Sequence, residues 1–257
     1  MIGWTLGLDI DAYHAGPGVS SSIIKKMAAK TPAHVLANVQ EDKPAFVLGR
    51  AAHTAVLEPN QFESRYYLGD DIRRGTKAWA ALEIAAAGRE VLKPQDWDLA
   101  MRIRDAVWKH PLASAILGSG GRTETSGFWT DQATGELCKF RPDYHDAGQR
   151  IAADLKTTTD MRSFQRTAAE YGLHIQQAWY ETGFEALDAM LDNWFFVIIE
   201  KEPPYLVGVS CLTRAAVDLG REVCRTQLDR YHECRTSGIW PGYPDLIEID
   251  LPAWAYK

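Results

Sequence analysis

Two aspartates and a lysine hold the most specific chemistry in this sequence: Asp143 in CKFRPD, and Asp154 and Lys156 in IAADLKT. Carboxylates brought side by side repel unless a cation lies between them, and hard oxygen ligands suit Mg2+ or Mn2+. In a strand, residues two apart share a face, so Lys156 joins Asp154 while Leu155 turns into the core. The Leu155 backbone carbonyl stays available as a metal ligand. Phosphodiester hydrolysis needs a water of lowered pKa and a counter-charge for the pentacoordinate transition state, and metal ions with a lysine supply both. Lys156 would orient or deprotonate that water. Alone, the same three residues read more readily as a salt bridge on an edge strand.

Other residues bear on the choice. Gln176 and Tyr180 in HIQQAWY are one helical turn apart and can turn an amide and a phenol toward one pocket; the alternative is a solvent-facing Gln176 and a core Tyr180. His53, in GRAAHTAVLEP, lies mid-helix, with Gly49 one turn earlier admitting close approach of another element. It is either a satisfied core residue or a ligand, and its nitrogen suits Mn2+ better than Mg2+. Glu124, in TETSGFW, is a third carboxylate near the pocket or a solvated edge residue. Arg73, Arg74 and Lys77 form the densest basic run, just before a helix start that favours phosphate; an ordinary solvated helix start is the other reading.

The elements that must position these groups follow from periodicity and from Gly and Pro. Helices are predicted over residues 20–39, 45–57 before Pro59, 76–92, and 95–109 before Pro111. A three-stranded meander follows over 124–130, 136–141 and 149–156, broken at DQATG and HDAG. Its second hairpin would set Asp143 beside Asp154. A helix over 161–190, strands in WFFVIIEK and YLVGVSCL around Pro203–Pro204, a helix over 213–235 and an irregular tail complete the chain. The absence of repeats or long linkers predicts a single domain over 1–257, with a helical part to about 118 and a catalytic core of about 119–215.

Composition narrows the class. The chain has 257 residues, 46% of them hydrophobic, enough for a packed core. No apolar run reaches the roughly 20 residues of a membrane span, and the start lacks a secretory signal, so a cytoplasmic protein with no membrane partner is expected. Cys138, Cys211, Cys224 and Cys234 show no metal-cluster spacing. The net charge of −6 neither supports nor excludes DNA, since a metal nuclease can be acidic overall and basic only locally.

Taken in order, GRAAHTAVLEP, ETSGFWTDQATGELCKFRPDY, IAADLKTT and HIQQAWY resemble the exonuclease VIII (RecE-type) branch of the PDDEXK nuclease superfamily, known from phages and prophages. The likeness extends over about the first 190 residues. It implies an α/β fold with a PDDEXK (restriction-endonuclease-like) core, helix, three-strand meander, helix and strand, with N-terminal helical additions. By resemblance, His53, Asp143 and Asp154 bind metal, Lys156 is the catalytic lysine, and Gln176 and Tyr180 form the Q-x-x-x-Y motif. The second acid is Asp rather than Glu. The resemblance further implies a Mg2+ enzyme, with Mn2+ as an alternative, that degrades linear double-stranded DNA 5′ to 3′ from its ends and leaves 3′ overhangs for recombination. It also implies a homo-oligomeric ring, trimer or tetramer, and a single-strand annealing protein as partner. Competing expectations are a nuclease of the RecB/AddB or CRISPR-adaptation type, an endonuclease, and a non-catalytic DNA-binding module.

Overall fold

The runs IAADLKTT and NWFFVIIE are almost continuously apolar, as strands buried on both faces must be. In the computed structural model, which describes residues 2–37 and 44–256, they form strands Ile151–Thr158 and Asn193–Glu200. They pair in parallel along their whole length at the heart of a five-stranded sheet. Parallel neighbours need a long crossover, and the helices Phe164–Glu170 and Leu173–Ala186 supply it. Val207–Ser210 extends the sheet on one side, Tyr144–Asp146 and Arg122–Thr123 on the other, all antiparallel.

Alternation along the central strand sends Leu155 and Ala153 to one face, where they meet Ala52, Val56, Ile103 and Val107 of the helices Pro44–Leu57 and Pro94–Lys109. On the opposite face Phe196 and Ile198 pack with Trp179, Phe184 and Leu228 of the helices Leu173–Ala186 and Arg214–Ser237. Each fully buried side chain of this size contributes about 1.5–3 kcal/mol. The result is the α/β class expected, a sheet between two helical layers.

The meander departs from expectation, because its strands belong to two sheets. Ser126–Thr130 pairs on one side with Leu137–Phe140 and on the other with Gly3–Thr5, making a separate three-stranded sheet. The chain leaves the larger sheet after Thr123 and rejoins it at Tyr144. Glu124 takes a left-handed φ of 49° at the departure, and Pro142, with no N–H to give, stands at the return. Hence Asp143 precedes a short extra strand and does not end the second meander strand.

Three predicted helices are also shorter. The one expected over 20–39 is Ser21–Ala29, followed after Pro32 by Ala33–Leu36, and residue 39 lies outside the described residues. The helix expected over 76–92 stops at Ala86, where Ala87 (φ 53°) and Gly88 (φ 87°) turn left-handed. Glu90–Leu92 then pairs in parallel with Tyr66–Leu68. The helix expected over 161–190 breaks at Gly172, whose φ of 61° costs glycine little.

Candidate active site

Both sheet-switch points meet at one place. Asp143, one residue before the Tyr144–Ala153 pair, falls opposite Asp154 in the antiparallel register. Its Oδ2 accepts the backbone N–H of Leu155 at 2.7 Å and lies 3.4 Å from His53 Nδ1. Glu124 donates its backbone N–H to the Asp143 carbonyl at 3.1 Å, so the chain's departure and return are stitched together. Arg141 Nε holds the Glu124 carboxylate at 2.8 Å. Ligand atoms of His53, Glu124 and Asp143 lie within 4.8 Å of one another, the one such group of three among the described residues. His53 also bonds the backbone of Leu155 in a way that favours its protonated ring, which makes the Leu155 carbonyl the acceptor. That carbonyl therefore faces the same group.

Asp154 is buried beside this group. Its Oδ1 accepts Gln176 Nε2 at 2.5 Å, and its Oδ2 is ion-paired with the Lys156 ammonium. Gln176 is thus neither solvent-facing nor idle. Tyr180, one turn on, is buried among Phe140 and Trp194 and bonds Ser21 through its hydroxyl, with its edge on the cleft. The two alternatives posed for this pair merge: Tyr180 is core and cleft wall at once.

The electrostatics show an excess of negative charge. Burial, and then the charge of Asp154, push the Asp143 carboxyl well above the usual carboxylate range. Burial and then Asp143 raise Glu124 too, against the pull of Arg141. Burial and the Lys156 charge lower His53, favouring the neutral ring a metal needs. Burial also pulls Lys156 down, but Asp154 and Asp143 outweigh it and hold the ammonium charged. Carboxylates that resist ionisation until a cation arrives, set around a neutral imidazole, fit a divalent ion.

A cleft of about 2180 Å3 opens on this group, lined by His53, Glu124, Asp143, Arg122, Ser21 and Tyr180 among others. Arg73, Arg74 and Lys77 do not line it. They sit beside the small Tyr66–Leu68 and Glu90–Leu92 sheet, where Arg74 lies over the Trp79 ring and 3.9 Å from Asp96. Gly49 opens on the cleft, and a Cβ there meets nothing within 4 Å, so it serves no close helix approach. Sequence reasoning missed Arg141, Arg122 and Ser21, which line the cleft through tertiary contacts that no spacing encodes.

A sheet with carboxylates at its switch point, a D-x-K strand and a following Q-x-x-x-Y helix define a PDDEXK-like fold. The chain belongs to the family described as PDDEXK-like domain of unknown function (DUF3799), which it matches over residues 20–250. The crystal structure of a protein named "Putative exonuclease" from Eubacterium rectale shares the fold at a TM-score of 0.64, with 12% identity and 98% of each chain covered. A phage related exonuclease from Haemophilus somnus, 11% identical over 74% of this chain and 95% of its own, reaches a TM-score of only 0.31, too low to add weight. No curated protein matches the sequence.

Proposed function

We propose that the chain is a divalent-metal-dependent exodeoxyribonuclease of the RecE type, acting on linear double-stranded DNA. The observation that carries this reading is the convergence of His53, Glu124 and Asp143 within 4.8 Å, next to the Asp154–Lys156 pair. Asp143, Asp154, His53 and the Leu155 carbonyl would hold Mg2+, or Mn2+ in its place, with Glu124 in support. Once bound, the cation would polarise the phosphate and lower the pKa of a water. Asp154 holds Lys156 charged, so Lys156 acts by orienting the attacking water and offsetting phosphate charge, rather than by taking a proton. Gln176 fixes the Asp154 carboxylate, and Tyr180 forms the wall against the Ser21–Ala29 helix.

Direction from 5′ to 3′, 3′ overhangs for recombination, an annealing partner and a phage setting are supported by the ordered motifs shared with the RecE-type branch. The same motifs support a closed ring of copies. The C-terminal arm favours some such partner, since Leu246, Ile249 and Trp254 are 87%, 82% and 75% exposed. Residues 1–257 would then work as one domain within each copy. Among the described residues, no group of three metal-ligating side chains includes a cysteine. Also among them, no helix is long and apolar enough to cross a membrane. The test is incubation of end-labelled linear duplex with Mg2+, Mn2+ or chelator: metal-dependent release of nucleotides from 5′-ended strands is expected, and cutting of closed circular duplex would favour an endonuclease.

A further inference from the structure

The helices Ser21–Ala29 and Leu173–Ala186 pack against each other in opposite directions along the active-site wall. Ser21 bonds Tyr180, and Lys25, one turn further along the first helix, reaches Gly172 at the N-terminus of the second. The stem of Lys25 rests on Gly172, the residue that caps the Gln176 helix, where an added Cβ would stand 3.1 Å from Lys25 Cδ. That glycine lets the side chain lie flat against the helix end. Its ammonium is then close enough to feel the charges of both Lys156 and Asp154, and burial with the Lys156 charge pulls its pKa down to about 8.

The two lysines differ in one respect. Lys156 is ion-paired with Asp154, whereas Lys25 is half-buried and no carboxylate pairs with it among the described residues. An unpaired, partly desolvated ammonium at the edge of a carboxylate-rich site is relieved by an anion from outside. Resting on the nuclease reading above, we propose that Lys25 binds a backbone phosphate of the DNA strand adjacent to the bond that is hydrolysed.

The test is fluorescence anisotropy of a labelled duplex with Ca2+ in place of Mg2+, over a range of salt concentrations, for wild type, Lys25→Gln, Lys25→Arg and the exposed control Lys30→Gln. Lys25→Gln should weaken binding to all sequences alike and lower the salt slope by about 1, and Lys25→Arg should restore the slope. Lys30→Gln should behave as wild type. An unchanged slope in a folded Lys25→Gln protein overturns the proposal, as does equal loss in the Lys30 control. Wild-type binding without hydrolysis in Mg2+ or Mn2+ overturns the nuclease reading alone, because the slope still reads Lys25. A wild type that binds no duplex overturns both.

Discussion

Asp143 grips the backbone of Leu155, its Oδ2 accepting that N–H at 2.7 Å, while the strand register sets Asp143 opposite Asp154. One carboxylate thereby senses both the backbone and the charge of the D-x-K strand. The geometry of the pair is fixed by main chain before any cation arrives, which is the preorganisation a metal site needs.

Asp143→Asn keeps the size and the acceptor for Leu155 but removes the charge. Calorimetric titration should show Mn2+ affinity falling by more than the roughly 10–100-fold that loss of a merely supporting residue costs. Thermal melting without metal should give a stability equal to or above wild type, because a carboxyl whose ionisation burial and Asp154 oppose has been neutralised.

The same raised carboxyls set a pH dependence. Asp143 and Glu124 bind protons more tightly folded than unfolded, so stability of the metal-free protein should fall as pH rises above the ordinary carboxylate range. Metal must displace those protons. Mn2+ affinity should therefore be stronger at pH 8 than at pH 6, with proton release visible as a buffer-dependent heat of binding. Equal affinity at both values and no buffer dependence would contradict the electrostatics described.

Gln176→Ala removes the 2.5 Å donor to Asp154 Oδ1 inside a buried site. Leaving that oxygen unsatisfied should cost about 1–3 kcal/mol in urea unfolding. Metal affinity or turnover should drop by about 10–100-fold. A variant with wild-type stability and rate would return Gln176 to an ordinary helix position.

His145, on the strand that follows Asp143, offers a test of the fold's electrostatics. Its ring stacks on Trp4 at 4.7 Å, its Nε2 is buried without a partner, and burial, then Arg122, hold its pKa down to about 4. A folded-state value below the unfolded one means the unfolded chain binds more protons between about 6.5 and 4. Stability is thus fully present above pH 6.5 and lost on acidification, by on the order of 3 kcal/mol. His145→Phe, which keeps the stack, should flatten the urea-unfolding free energy between pH 6.5 and 4.5.

How much of this was legible depends on the range of each signal. Asp154, Leu155 and Lys156 could be read because strand alternation is strictly local, and Gln176 with Tyr180 because a helical turn is local too. The sheet switch could not be read. It turns on a left-handed Glu124 and on Pro142, and only the fold shows that these two breaks meet. Lys25 and Arg122 reach the site through tertiary contacts that no spacing encodes. The Arg73–Lys77 run lies apart from the cleft for the converse reason, since local basic density is silent about where in the fold it falls.

The most direct measurement is the rate of nucleotide release from linear duplex by wild type, Asp154→Asn and Lys156→Ala, each with Mg2+, with Mn2+ and with chelator. Release by the wild type only with metal, and loss of it in both folded variants, is the predicted result. Release that survives chelation, or that persists undiminished in either variant, would contradict the assignment of this site.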